Sequence, residues 1–287
     1  MGSKEELNSY QNKIPSSRAT TRDPFKIILF TYIFIQKYMC FILSLTRNYL
    51  TGPRVKHGVT LMLLSIFLAS NACAQECVVL LHGYLRNSKC MHPVAEILES
   101  KGYKVQNISY PSTDYSIQTL SREHVAPQID HSNCDKMHFI GHSMGGIIVR
   151  HYLSENKPTN LGNVILIAAP NGGSDLVASI EDNPVFAWAL IGPAARELSP
   201  GSKLLQELPL PDYNAGIITA SKSINPITSI FLLDGKNDGT LTVESMKLQN
   251  MKDIVNLEAT HTLVLLHPDI GMHIENFLKN GRFVKVK

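Results

Sequence analysis

The run Gly141-His142-Ser143-Met144-Gly145 puts a glycine two positions before and two positions after a hydroxyl. A chain that reverses sharply at the serine drives the side chains at those two positions into each other, so only the smallest residues fit there. Such a turn lifts the hydroxyl clear of its surroundings. It also sets it at the start of a helix, whose positive end favours negative charge developing nearby. A serine hydroxyl is a weak nucleophile until an imidazole takes its proton, and the imidazole needs a carboxylate to hold it in one tautomer. The chemistry this pattern points to is acyl transfer through a covalent serine ester. The same five residues also arise by chance in glycine-rich loops, so their meaning rests on what flanks them.

Met137-His138-Phe139-Ile140 ahead of the pattern reads as a strand, and Gly146-Ile147-Ile148-Val149-Arg150 behind it reads as a helix. After residue 74 the order strand, turn, helix recurs, which predicts a parallel sheet covered on both faces. Continuous apolar runs mark buried strands at 77–81, 103–109, 137–140, 164–169, 216–220 and 254–257. Helical spacing appears over 91–100, 117–129, 144–154 and 269–279. Residues 174–214 break the rhythm with apolar pieces at 184–191 and 194–198 between glycines and prolines, and read as a small helical cap inserted in one α/β domain spanning 75–287.

Charge narrows the partners. The 287 residues hold 27 Lys and Arg against 24 Asp and Glu, but nine of the former and only three of the latter lie before residue 75. The remaining domain is therefore slightly acidic, without a basic cluster that would draw nucleic acid. Its cysteines, Cys77, Cys90 and Cys134, form no CxxC and have no Cys/His spacing of a zinc site. Neither a metal nor an organic cofactor is required by the chemistry.

With Val78-Val79-Leu80-Leu81-His82-Gly83 ahead of the serine turn, the domain resembles the bacterial esterase/lipase family of α/β hydrolases, from Val78 to Gly281-Arg282-Phe283. The resemblance implies an oxyanion hole from the backbone amides of Tyr84, after His82-Gly83, and Met144, after the serine. It also implies the chain order Ser, acid, His. Asn237-Asp238-Gly239-Thr240 resembles the acid loop, which makes Asp238 the acid, with Asp234, also followed by glycine, as the alternative. Ala259-Thr260-His261-Thr262 follows the last strand, where the fold places its histidine. His267 and His273 read as surface residues in or near the final helix, His142 as the variable position of the turn, and His138 as a strand-face residue. Ala169-Pro170-Asn171-Gly172-Gly173-Ser174 resembles a turn that lines the pocket in related lipases. In this fold the strands near Cys77 and Met137 are parallel neighbours, which implies a Cys77–Cys134 disulfide at the edge opposite the active site, with Cys90 free or buried.

The leader is read in two parts. Residues 55–74 carry Lys56-His57, an uncharged run from Val59 to Leu68 and Ala72-Cys73-Ala74, the order of a signal peptide cleaved after Ala74. Residues 1–54 combine a polar start with a second apolar stretch at 26–45. They read either as sequence upstream of a true start at Val55 or as a membrane anchor with a transmembrane helix near 27–45. Ser70 stands where a lipoprotein box needs an aliphatic residue. The expectation is an exported serine carboxylic ester hydrolase acting through an acyl-enzyme on Ser143, on a small-molecule or lipid ester and compatible with contact at a lipid surface. Thioesterase, acyltransferase and non-catalytic hydrolase-like binder are the rival readings, and oligomeric state is left open.

Overall fold

Strand β1, Glu76–Leu81, is apolar at every position from Cys77 onward, and all five of those residues are buried. Alternate side chains of a strand point to opposite faces. Val79 and Leu81 accordingly pack with Met137, Phe139, Val164, Leu166 and Ile217 on one side of the sheet. Val78 and Leu80 pack with Ile140, Ile165, Ile167 and Ile218 on the other. A strand buried on both faces needs helices on both, and a parallel sheet whose crossovers are helices supplies them.

The computed structural model describes residues 74–181, 192–224 and 233–285. Among them, β1, β2 (Lys104–Ile108), β3 (Lys136–His142), β4 (Leu161–Ile167), β5 (Ala215–Ala220) and β6 (Asp253–Leu257) form one all-parallel sheet in the order β2-β1-β3-β4-β5-β6. The helices are α1 (His92–Ser100), α2 (Ile117–Thr119), α3 (Met144–Glu155), α4 (Asp175–Glu181), α5 (Pro193–Arg196), α6 (Lys203–Glu207), α7 (Val243–Met246) and α8 (Ile270–Asn280). Val94 and Leu98 of α1 share one face of the sheet with Ile274 and Phe277 of α8. Ile147, Ile148 and Tyr152 of α3 cover the other. Helices α4, α5 and α6 fall between β4 and β5, within the expected cap. The predicted leader (1–54), the signal segment up to residue 73 and the cap piece 184–191 lie outside the described residues. Among the described residues no helix is long and apolar enough to cross a membrane.

Two expectations need correction. The helix predicted over 117–129 is α2, followed by a π segment Leu120–Val125 and a 3-10 turn Ala126–Gln128. Pro127 is the cause, since it donates no amide hydrogen and its ring collides with the carbonyl four residues back. His273 is buried rather than on the surface. It shares the inner stripe of α8 with Ile270, Ile274 and Phe277, and its ring meets Phe283 edge-on at 6.0 Å.

At the N-terminal edge of the sheet Cys77 is disulfide-bonded to Cys134, and Cys90 in the 3-10 turn Ser88–Met91 is a free thiol. Burial pushes the Cys90 thiol pKa up. The bridge closes a loop across 57 residues of sequence, so in the unfolded chain it removes much of the freedom of the β2 region. Replacing both Cys77 and Cys134 by alanine is expected to lower unfolding free energy by about 2–4 kcal/mol. Urea denaturation of the purified domain, followed by circular dichroism against the unsubstituted protein, measures it.

Candidate active site

Ser143 sits between the end of β3 and the first residue of α3 at φ 55° and ψ −129°, a left-handed conformation that costs a non-glycine residue about 1–3 kcal/mol. Close packing holds it there. A Cβ on Gly141 would stand 2.5 Å from the Gly145 backbone, and one on Gly145 would stand 2.4 Å from the Leu81 carbonyl oxygen. The elbow is thus wedged under the end of β1, and any larger residue at either glycine would push it away. The Ser143 amide is also tied to the Ile167 carbonyl at the end of β4, 2.9 Å away.

His261 Nε2 lies 2.9 Å from Ser143 Oγ, and His261 Nδ1 lies 2.6 Å from Asp238 Oδ2. The Asp238 side chain is fully buried, a position in which a carboxylate must be compensated. Its other oxygen, Oδ1, accepts from the amides of Thr240 at 2.9 Å and Leu241 at 2.8 Å. Those two bonds lock the carboxylate plane and leave Oδ2 for the imidazole. The backbone joins in, because the His261 amide donates to the Asp238 carbonyl at 3.1 Å. Asp234, the alternative acid, is exposed on the surface.

A second histidine, read from sequence only as the variable position of the turn, supports the first. His142 Nε2 donates to the His261 carbonyl at 2.8 Å, which leaves its buried Nδ1 as an acceptor without a partner among the described residues. Burial, then the proximity of His261, push the His142 pKa down to about 3. His142 is therefore a neutral strut across the ordinary pH range.

The Tyr84 amide is set by His82. A carbonyl can only accept, so His82 Nδ1 donates to the Gly83 oxygen at 2.9 Å, while Nε2 accepts from the Tyr110 amide at 3.3 Å. The Tyr110 ring stacks on the imidazole at 3.9 Å, and its hydroxyl bonds the His82 carbonyl. Burial lowers the His82 pKa and keeps this tautomer neutral. Because a trans peptide points its N–H opposite to its C=O, fixing the Gly83 oxygen fixes the direction of the Tyr84 N–H. The Met144 amide opens α3 and has no acceptor within the helix.

The cap closes over these groups. The Gly192 amide donates to the Tyr84 hydroxyl at 2.9 Å, the Ser174 amide to the Leu198 carbonyl at 2.7 Å, and the Ile117 amide to Glu197 Oε2 at 2.6 Å. Beneath lies a cavity of about 450 Å³ that includes Ser143 and His261. Leu176, Val177, Ile180, Ala195 and Leu198 form an apolar wall, Pro170 and Ser174 contribute from the loop after β4, and Arg86 and Thr262 stand at its edge. The cap piece read at 184–191 lies outside the described residues, and the apolar wall comes from α4 and from Ala195 and Leu198, which fall in the piece read at 194–198. Helix α4 carries its lining residues at spacings of one, three and four, which is the one signal that could have found them. No group of three His, Cys, Asp or Glu side chains among the described residues could hold a metal ion. What the arrangement can do is take a proton from the Ser143 hydroxyl, which lies 2.9 Å from His261 Nε2.

A family described as the alpha/beta hydrolase fold matches residues 76–191. Among solved structures, the mature form of a lipase from Bacillus licheniformis is similar with a TM-score of 0.56 at 17% identity, over 74% of this chain and 94% of that one. A phospholipase from Legionella pneumophila is similar with a TM-score of 0.51 at 17% identity, over 68% of this chain and 58% of that one. No curated protein matches the chain in sequence.

A Cβ on Gly83 would stand 2.9 Å from the Ser143 Cβ and 3.4 Å from its Oγ. Gly83→Ala is therefore expected to displace the serine or the Tyr84 amide by a fraction of an ångström and to slow covalent labelling of Ser143 by a fluorophosphonate about 10²-fold. Labelling rates, with melting temperatures to show that the fold persists, check this.

Proposed function

Given that the chain has the α/β-hydrolase fold, as the resemblance of its serine turn and His82-Gly83 implied, we propose that it is a serine carboxylic ester hydrolase working through an acyl-enzyme on Ser143. The observation that carries this reading is the unbroken hydrogen-bond chain Ser143–His261–Asp238, with 2.9 Å and 2.6 Å between its members. Ser143 Oγ attacks the ester carbonyl carbon while His261 Nε2 takes the hydroxyl proton. The carbonyl oxygen becomes an oxyanion facing the Tyr84 and Met144 amides. As it collapses, the bond to the alcohol oxygen breaks and His261 returns its proton to that oxygen. Water then attacks the acyl-enzyme, gives its proton to His261, and leaves as part of the carboxylic acid, with Ser143 restored. Asp238 stays ionised throughout and offsets the imidazolium that forms twice per turnover. The apolar wall of the cavity supports an acyl chain as the group held on the enzyme.

The tests follow from the roles. Ser143→Ala abolishes fluorophosphonate labelling and lowers hydrolysis of p-nitrophenyl esters at least ~10⁴-fold, and Asp238→Asn, which leaves the shape but favours the wrong tautomer, costs about 10³–10⁴-fold in kcat. A folded protein that takes no label overturns the proposal. A series of acyl lengths on the same alcohol then measures how much chain the cavity accepts.

The same reading places the domain outside the reducing cytosol. The Cys77–Cys134 disulfide supports this, since such bonds persist in oxidising compartments. With residues 55–74 acting as the signal, N-terminal sequencing of the exported protein should begin at Gln75. A first residue upstream of Val55 would favour the anchor instead.

A further inference from the structure

Arg86 is the only Lys, Arg, Asp or Glu among the described residues that line the cavity. It lies two residues after Tyr84, exposed, with one long hydrogen bond from Nη2 to Thr262 Oγ1 at 3.4 Å. No ion pair among the described residues includes it. Arg122, by contrast, engages both oxygens of Glu155. A guanidinium presents its donors in a rigid fork that fits a carboxylate or phosphate, and among the described residues the Arg86 fork bonds only Thr262.

Its place relative to the reaction gives the fork a meaning. Thr262 directly follows His261, whose Nε2 must reach the departing alcohol oxygen to protonate it. The alcohol half of the substrate therefore passes beside His261, next to the residue to which Arg86 is tethered. Leu176, Val177, Ile180, Ala195 and Leu198 line the cavity from the cap, and Leu241 lines it from the loop that carries Asp238, whereas Arg86 and Thr262, with Leu85, come from the loops after β1 and β6.

Building on the ester-hydrolase reading, we propose that Arg86 binds an anionic group carried by the alcohol half of the substrate, so that the preferred substrate joins an apolar acyl chain to an alcohol bearing a phosphate or a carboxylate. Selectivity then has two parts: the cap takes the chain and the β1 loop takes the charge.

The experiment compares three octanoyl esters, each below its critical micelle concentration: neutral 1-octanoyl-glycerol, 1-octanoyl-glycerol 3-phosphate and O-octanoyl-lactate. At low ionic strength kcat/KM should favour at least one anionic ester over the neutral one by about tenfold, and the preference should shrink in 0.5 M NaCl, where the Debye length falls to a few ångströms. Whichever anion is preferred identifies the source of the charge. Arg86→Ala should lower the anionic-to-neutral ratio about tenfold, Arg86→Glu should bring it below one, and Arg86→Lys should retain part of it because a point charge replaces the fork. A ratio near one in the unsubstituted enzyme, or one that neither Arg86→Ala nor Arg86→Glu changes, overturns the inference while leaving the hydrolase reading intact. No turnover of any ester together with no fluorophosphonate labelling overturns both.

Discussion

Ser143 occupies a backbone conformation that an L-residue avoids, and the surrounding structure has to over-determine it. The wedge is made by contacts that leave no room for a Cβ, with Gly141 against Gly145 and Gly145 against the carbonyls that end β1. Those contacts exist only because β1 and β3 are in parallel register, Leu81 opposite Gly141, so that their C-terminal ends arrive together. The sheet thus works as a jig. Its two buried faces hold strands β1, β3 and β4 rigidly, and the strain of the elbow is met by the packing of the whole core.

From that fixed serine the other groups are placed by backbone rather than by long side chains. Asp238 is oriented by two amides of its own loop, and His261 is held by Asp238 on one ring nitrogen, while its backbone amide donates to the Asp238 carbonyl and its backbone carbonyl accepts from the His142 ring. His82 fixes the Gly83 peptide and with it the Tyr84 amide. Each bond here is buried or partly buried, where an unpaired polar group costs about 1–3 kcal/mol, so a displaced member would be penalised at once. This gives a site whose side chains and peptide planes are held in one arrangement before any substrate arrives.

The parts of this arrangement legible in the sequence were those set by short-range rules. Continuous apolar runs announced strands buried on both faces, and the glycine spacing around Ser143 announced a turn that tolerates nothing larger. Resemblance supplied the order of Asp238 and His261. Other features were not legible, for identifiable reasons. The irregular helix after residue 117 looked periodic because apolar spacing outvoted Pro127. His273 looked like a surface residue because its chemistry is polar, although its spacing from Ile270 and Phe277 put it on the inner stripe of α8.

By itself the sequence determined the class of fold and the elbow that carries Ser143, because burial period and the size of a glycine act between residues close along the chain. Only the tertiary structure decided which carboxylate meets the imidazole, which nitrogen of His82 carries the proton, that His142 braces His261, and that Arg86 lines the cavity with no ion-pair partner among the described residues. Those outcomes depend on loops from β1, β3 and β6 meeting above one edge of the sheet. His142 and His261 are 119 residues apart in sequence yet 2.8 Å apart across a hydrogen bond. Distance in space at that separation is set by strand order and register, which no local pattern encodes.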